Sequence, residues 1–197
     1  MIQTADNGFL LIGLTSSYTH GYNSVYAIKT NSIGDTLWTK TYEKEYRNSG
    51  ISAIQLSDGG FFFCGETDNS SPTSQDCYFI RTNSQGDTLW TKTFGGNNYD
   101  GAYNCYDAGD GIIISGTTRS YGEGGYDIFL SKFDYNGNNI WIKTYGGQLD
   151  DYGGSFDPTN DGGYILTGYT QSFGAGFRDM YLIKTNNIGD TSWTKTF

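Results

Sequence analysis

Short apolar runs bounded by turn-forming residues recur along the whole chain. The clearest runs are continuous and occupy residues 9–12, 61–64, 112–114 and 164–166. Each follows a cluster of Asp, Asn and Gly, residues that tolerate the positive φ angles of tight hairpins. Because a short continuous apolar run between turn signals is typical of a strand covered on both faces, the pattern predicts four buried β-strands.

The same pattern returns at a fixed interval. Tryptophans stand at positions 38, 90, 141 and 193, which are 52, 51 and 52 residues apart. The glycines that follow the apolar runs, at positions 13, 65, 116 and 168, have the same spacing. A period of about 50 residues that contains several short strands is typical of propeller blades, whereas helical repeats of that length need long segments with a 3.6-residue period.

Each repeat divides into four predicted strands, of which the apolar run is the second. The first is clearest at residues 102–107 and 154–159. The third occupies four equivalent segments, namely residues 25–29, 77–81, 128–132 and 180–184. It ends each time in Lys or Arg, which we expect to reach solvent. The fourth carries Trp-Thr-Lys-Thr or Trp-Ile-Lys-Thr, and alternation places its Trp and Lys on one face, as in a half-buried outer strand.

The sequence therefore predicts an all-β fold, a β-propeller of four four-stranded blades that forms a single domain over residues 1–197. The expected blades cover approximately residues 1–45, 46–97, 98–148 and 149–197. Two arrangements are open, a closed four-bladed ring or half of a larger or dimeric propeller. Because residues 1–5 match the later part of a first strand and the last residues form a fourth strand, no strand is left to join the first and last blades. We therefore favour a homodimer or part of a longer propeller.

The motifs of the repeat resemble a known family. The last copy reads DGGYILTG at residues 161–168, DMYLIK at 179–184 and WTKT at 193–196. This order is similar to that of the bacterial β-propeller repeats of the SBBP type, and the resemblance covers the whole chain. It implies a secreted or cell-surface module of a larger exported protein, whose signal peptide we expect to lie outside this chain.

Composition narrows the function classes. The chain has 17 Tyr, 12 Phe and 4 Trp, which supply a core without many aliphatic residues. Its formal net charge of −9 argues against nucleic acid as a partner, since phosphate binding needs clustered Lys and Arg. The apolar run at residues 9–14 is too short to cross a membrane, so we expect no membrane insertion. The three cysteines at positions 64, 77 and 105 are predicted to be small buried residues, with a pairing of the first two left open.

Loops between the second and third strands are the expected ligand-binding elements. They occupy residues 16–23, 68–75, 119–126 and 171–178, and they keep their length while their content varies. We expect them to share a face with the crossovers between repeats, and variable loops on a rigid scaffold often carry recognition. The candidate ligand-binding residues are Tyr18, His20, Tyr22, Arg119, Tyr121, Glu123, Tyr126, Phe173, Phe177 and Arg178. The alternative is that their rings only pack over glycine-rich loops and order them.

No catalytic, cofactor-binding or metal-binding set can be assembled from the sequence. His20 is the only histidine, and no Ser-His-Asp set or zinc-ligand cluster accompanies it. Aspartates that recur once per repeat, at positions 76, 127 and 179 and at 100 and 151, are predicted to anchor loops by accepting backbone N–H groups. The chain is thus predicted to be a non-enzymatic module that binds a glycan or a protein, without a cofactor. The alternative is a polysaccharide-active hydrolase or lyase that uses Glu123 and Asp150.

Overall fold

The computed structural model describes residues 1–17, 22–44, 46–68 and 74–197, and within these ranges the chain forms sixteen β-strands and no helix. The strands, in chain order, are β1 (Ile2–Gln3), β2 (Phe9–Thr15), β3 (Ser24–Thr30), β4 (Thr36–Tyr42), β5 (Asn48–Gln55), β6 (Phe61–Asp68), β7 (Gln75–Thr82), β8 (Thr88–Phe94), β9 (Asp100–Asp107), β10 (Ile112–Thr118), β11 (Asp127–Phe133), β12 (Asn139–Tyr145), β13 (Asp151–Pro158), β14 (Tyr164–Thr170), β15 (Asp179–Thr185) and β16 (Thr191–Thr196).

Each sequence repeat forms one antiparallel sheet of four consecutive strands, in the order β1-β2-β3-β4 and likewise for the three later repeats. The all-β prediction is therefore confirmed. The chain divides into two compact units, Met1–Gly95 with strands β1–β8 and Gly96–Phe197 with strands β9–β16. Each unit thus contains two sheets.

The hairpin turns take the backbone conformations that the sequence predicts. Between the third and fourth strands of each sheet, a glycine with a φ of 74 to 92° ends the turn, and a register shift follows it in the ladder. Between the first and second strands, Asn7 has a φ of 63° and Gly59 has a φ of 82°. The next glycine of the first turn also avoids a collision, because a Cβ on Gly8 would lie 2.1 Å from the carbonyl oxygen of Thr30.

One ion pair in every sheet joins the end of the third strand to the first turn. Lys29 pairs with Asp6 at 2.8 Å, and Arg81 pairs in the same way with Asp58. The equivalent pairs of the second unit are Lys132 with Asp110, at 2.7 Å, and Lys184 with Asp161, at 2.8 Å. The prediction that these cations reach solvent is wrong for Lys29 and Arg81, which are buried. Their charge is compensated by the carboxylate, and Lys29 also donates to the carbonyl oxygen of Thr30.

Each unit has an apolar core where its two sheets face one another. In the first unit, residues of β2 to β4 pack on aromatic residues of β6 and β7, such as Phe61, Phe63 and Tyr78. In the second unit, residues of β10 to β12 pack in the same way on β13 to β15. All three cysteines are buried thiols rather than disulfides, as predicted.

Burial of the second strand on both faces is confirmed for β6 and β10 but not for β2 and β14. Strand β2 buries Leu10 but exposes Leu11, and β14 buries Leu166 but exposes Thr167. The physical reason is that one face of each strand packs on the other sheet of its unit, while the described residues leave its other face partly open. The first and last sheets therefore each keep one uncovered face.

A repeated set of contacts, which we call the latch, joins the outer strand of one sheet to a turn of the other within each unit. Tyr42 of β4 donates a hydrogen bond from its hydroxyl to the carbonyl oxygen of Gly86, at 2.9 Å. Lys40 forms an ion pair with Asp87 at 2.8 Å, and the ring of Trp38 lies 2.9 Å from the position of a Cβ on Gly86. Trp and Lys thus share one face of the outer strand, as predicted.

The second unit repeats the latch with equivalent residues. Tyr145 of β12 donates to the carbonyl oxygen of Gly189 at 2.6 Å, and Lys143 pairs with Asp190 at 2.7 Å. Trp141 lies 2.9 Å from the position of a Cβ on Gly189. Strand β16 carries the same Trp-Thr-Lys-Thr sequence but is exposed along its whole length. The prediction of a half-buried outer strand is therefore wrong for β16, because no described residue covers its inner face.

Candidate ligand-binding face

Buried aspartates hold the loops of the second unit against the crossovers, as predicted. In the first of its two sheets, Asp100 accepts hydrogen bonds from the backbone N–H of Gly96 at 2.8 Å and from the hydroxyl of Ser120 at 2.6 Å. The hydroxyl of Thr118 also donates to Asp100, and its oxygen accepts the N–H of Ser120 and of Tyr121. The loop that begins at Arg119 is thereby fixed beside the crossover.

The same network recurs in the next sheet. Asp151 accepts the N–H of Gly147 at 2.8 Å and the hydroxyl of Ser172 at 2.6 Å, and the Ser172 hydroxyl oxygen accepts the N–H of Leu149. Thr170 accepts the N–H groups of Ser172 and Phe173. This loop and crossover therefore also lie side by side, and the predicted shared face is confirmed for the second unit.

Aspartates at the start of the third strands close the other end of each loop. Asp127 accepts the N–H of Glu123 at 2.9 Å, and Asp179 accepts the N–H of Gly176 at 3.2 Å. Their predicted role as loop anchors is confirmed for Asp127 and Asp179. Burial raises the pKa of Asp127 to about 6, and the nearby carboxylates of Asp151 and Glu123 add to the effect.

Between these loops, four tyrosines form a continuous set of ring contacts, which we call the tyrosine column. It consists of Tyr99, Tyr126, Tyr152 and Tyr169. The rings of Tyr126 and Tyr152 stack at 4.8 Å with an interplanar angle of 27°, and those of Tyr152 and Tyr169 stack at 4.9 Å with the same angle. Tyr99 meets Tyr126 edge-on at 5.7 Å. All four rings are half-buried.

Strand pairing and loop anchoring explain why these rings meet. Tyr152 of β13 and Tyr169 of β14 are directly opposite in the antiparallel ladder, where facing side chains approach to about 5 Å. Tyr126 ends the loop of the preceding sheet, and its N–H donates to the carboxylate of Asp150 at 3.1 Å. The column therefore bridges both sheets of the unit.

Two exposed arginines lie on the tyrosine column. The guanidinium of Arg178 lies 4.8 Å from the centre of the Tyr169 ring and 5.7 Å from that of Phe177. The guanidinium of Arg119 lies 5.4 Å from the centre of the Tyr126 ring. Such cation–π contacts hold a long side chain in place while its outer donors stay available.

The groups around Tyr152 act on its pKa in opposite directions. Desolvation raises the pKa of Tyr152, and the Asp150 carboxylate and the two stacked tyrosines raise it further. Arg178 acts in the opposite direction and lowers the pKa of Tyr152. The phenol group of Tyr152 is consequently neutral near pH 7, and its hydroxyl can both donate and accept a hydrogen bond.

Of the predicted site residues, the structure brings together Arg119, Tyr126, Phe177 and Arg178. Phe177 is 79% exposed, so its ring is accessible to a ligand. Phe173 packs on Tyr181 with ring centres 5.5 Å apart, which supports an ordering role for this residue. Tyr121 and Glu123 belong to the same loop as Arg119, and their N–H groups take part in its anchoring.

Tyr22 lies apart from this group, in the first unit. It is 56% exposed, and its ring contacts that of Tyr46 with centres 6.3 Å apart. Tyr18 and His20 fall outside the residues that the structure describes.

Sequence reasoning missed Tyr99, Tyr152 and Tyr169. Tyr152 and Tyr169 lie on strands, and strand residues are treated as framework when repeats are compared. The available signal was that neither position is aromatic in the other repeats, where Gly101 corresponds to Tyr152 and Thr117 to Tyr169. An aromatic residue that occurs at a strand end in only one repeat is thus as much a candidate for a binding site as one in a loop.

The arrangement offers hydroxyl groups, aromatic ring surface and two guanidinium groups on one anchored face. No group of three or more His, Cys, Asp and Glu side chains suited to a metal ion occurs among the described residues. The turn at Asp134 is a plain hairpin turn in which its carboxylate accepts the N–H groups of Asn136 and Asn138. In the described ranges there is also no helix long and apolar enough to span a membrane.

A scan against protein-family models returns no match to the chain, and neither does a search of the curated proteins. The resemblance to blade repeats of the SBBP type therefore rests on the motifs of the sequence.

Proposed function

We propose that the chain is a non-enzymatic glycan-binding module of an exported bacterial protein, built as a β-propeller of four blades of the SBBP type. Four consecutive four-stranded antiparallel sheets, one per repeat, support the propeller arrangement. The same latch between neighbouring sheets in both units supports it further, since propeller blades pack face to face in a series. Secretion or display at the cell surface is part of this proposal and follows from the family resemblance.

The observation that carries the glycan proposal is the combination of the tyrosine column with Arg178 and Phe177. Stacking covers much of the faces of Tyr126, Tyr152 and Tyr169, so these residues contribute hydroxyl groups and ring edges. The exposed ring of Phe177 supplies the apolar platform on which the C–H face of a sugar can pack. The guanidinium of Arg178, beside this ring, can donate to sugar hydroxyl or carboxylate oxygens.

A glycan screen tests this function. The 197-residue chain is applied to an array of neutral and acidic oligosaccharides. The affinity of each oligosaccharide that binds is then measured by calorimetry. We expect binding that Phe177→Ala and Arg178→Ala each weaken at least tenfold, while Tyr22→Ala, a similarly exposed ring in the first unit, has no effect. Binding to protein ligands alone, or glycan binding that is equal in all three variants, would contradict the proposal.

An enzymatic role is the second candidate, and the carboxylates of the second unit are the observation that bears on it. A Cβ on Gly146 would lie 2.0 Å from Asp127 Oδ1 and 2.7 Å from Asp151 Oδ2, so two carboxyl groups are close together. Both are buried and anchor loops. Asp150, the other sequence candidate with Glu123, accepts the N–H of Tyr126. We therefore favour binding, and release of reducing sugar from any array ligand would support the enzyme instead.

A further inference from the structure

The latch joins the two sheets within each unit, and among the described residues one half of it forms no such contact in the first sheet and the other half forms none in the last sheet. Its first half is the outer-strand set Trp, Lys and Tyr, and its second half is a turn that ends in Gly-Asp. Strand β16 and the residue after it supply Trp193, Lys195 and Phe197 in the equivalent positions, and Phe197 lacks the hydroxyl that Tyr42 and Tyr145 donate. The turn before β4 supplies Gly34 and Asp35.

Both unused halves are accessible. Trp193 is 43% exposed and Phe197 is 69% exposed, whereas Tyr42 and Tyr145, which correspond to Phe197, are buried. Among the described residues, nothing lies within 4 Å of the position of a Cβ on Gly34. In Gly86 and Gly189, the same position is occupied by a tryptophan ring at 2.9 Å.

Charges at the two unused halves are complementary. Asp87 and Asp190 each bind an asparagine amide with one carboxylate oxygen and the latch lysine with the other. Asp35 has the asparagine contact, from Asn31 at 3.0 Å, but no lysine within ion-pair distance among the described residues. Lys195 likewise has no carboxylate partner in the described ranges.

The surfaces beside the latch are complementary as well. The last sheet leaves uncovered an apolar face whose large exposed members are Met180 and Trp193. The residues equivalent to Met180 and its half-buried neighbours Leu182 and Ile165 in the preceding sheet are Ile128, Leu130 and Ile113, and these are fully buried against β13 to β15.

The first sheet also leaves an apolar face uncovered. It is the face that corresponds to the one with which the second sheet packs on the first. Leu11 is exposed, and Phe9 and Ile28 are half-buried, whereas the equivalent residues of the second sheet, Phe63, Phe61 and Ile80, are buried against the first sheet. The two uncovered faces are therefore of the two types that pack against each other within each unit. Uncovered apolar faces of this kind mark interaction surfaces.

We propose that the uncovered face of the last sheet binds the uncovered face of the first sheet in a second copy of this chain. In this head-to-tail contact, Lys195 pairs with Asp35 of the other copy and Trp193 packs against its Gly34. These pairs of residues are suited to each other because the same residue types already pair within the second unit, Lys143 with Asp190 and Trp141 with Gly189. Two copies can satisfy both unused halves through two equivalent contacts.

Zero-length cross-linking tests this contact directly. The 197-residue chain is prepared unlabelled and with uniform nitrogen-15, the two samples are mixed, and a carbodiimide couples paired Lys and Asp side chains. We expect a peptide that joins Lys195 to Asp35 and contains one labelled and one unlabelled half. The same peptide found only as fully labelled and fully unlabelled species would show a link within one chain and would overturn the proposal, as would its absence.

Light scattering on variants gives a second readout. The wild-type chain is expected to have at least twice the 21.7 kDa mass of one chain at micromolar concentration. Lys195→Asp and Trp193→Ala should each raise the dissociation constant at least tenfold, and Asp35→Lys combined with Lys195→Asp should restore association. Arg47→Asp, which makes the same change of charge at an exposed residue of the first crossover, is the control. A wild-type chain that is monomeric at all concentrations would contradict the proposal.

Discussion

The ring of Tyr126, at the end of one loop, stacks on the ring of Tyr152, in the first strand of the following sheet, at 4.8 Å and 27°. This contact joins the two sheets of the second unit on the face where their loops and crossovers meet. Because Tyr152 also stacks on Tyr169, it is the central member of the tyrosine column. The column therefore contributes to the stability of the unit as well as to its surface.

Truncation of Tyr152 should measure that contribution. Tyr152→Ala removes two stacked ring pairs and part of a half-buried side chain, and should lower the free energy of unfolding by about 2 kcal/mol. Tyr152→Phe keeps the ring and should cost less than about 0.5 kcal/mol. Urea unfolding of both variants checks this, and equal stabilities of the two would show that the stack contributes nothing.

Ionisation of Tyr152 should be displaced to alkaline pH. Its pKa is raised by desolvation and by Asp150, and Arg178 partly offsets this effect. In an ultraviolet titration, the difference between the wild type and Tyr152→Phe should show one phenol that ionises above pH 10, the ordinary range of tyrosine. Arg178→Gln should move that transition to still higher pH. A shift in the other direction would mean that the guanidinium does not act on Tyr152.

Stability should depend on pH through Asp127. This carboxyl has a pKa of about 6 in the folded protein and about 3.9 in an unfolded chain, so the folded state binds the extra proton between these values. The free energy of unfolding should therefore fall as the pH rises from about 4 to about 6. Asp127→Asn retains an oxygen for the N–H of Glu123 and should lack this fall. Identical pH profiles for the two proteins would contradict the assignment.

Two glycines with the same backbone conformation should respond differently to substitution. Gly34 has a φ of 92° and Gly189 a φ of 80°, so alanine is strained at either position. At Gly189, the new Cβ would also meet Trp141 at 2.9 Å, whereas nothing lies within 4 Å at Gly34 among the described residues. Gly189→Ala should therefore cost about 1–2 kcal/mol more than Gly34→Ala. Thermal unfolding at a protein concentration too low for association checks this, and equal losses would contradict the role of the latch in packing.

Much of the fold was predictable because the repeat signals it locally. Turn-forming residues and apolar runs each depend on only a few adjacent residues, and together with the regular spacing of the tryptophans they located all four sheets. The burial of Lys29 was not predictable in this way. It depends on Asp6, 23 residues away, and only the pairing of the strands brings these two groups together.

The candidate site was predictable only in part for a related reason. Comparison of the repeats identified Arg119, Tyr126, Phe177 and Arg178 because loop residues that differ between copies stand out. Tyr152 and Tyr169 belong to strands, and their contact follows from the register of β13 and β14. The register changes at a bulge between Gly153 and Phe156, which the sequence pattern does not reveal.

The most direct test of glycan binding at the tyrosine column is a calorimetric titration of Phe177→Ala with the tightest array ligand, next to Tyr22→Ala. If the column and its exposed ring form the binding site, Phe177→Ala will lower the affinity at least tenfold, and Tyr22→Ala will leave it unchanged. Unchanged affinity in Phe177→Ala, with a loss in Tyr22→Ala, would place the site on the first unit and contradict our account.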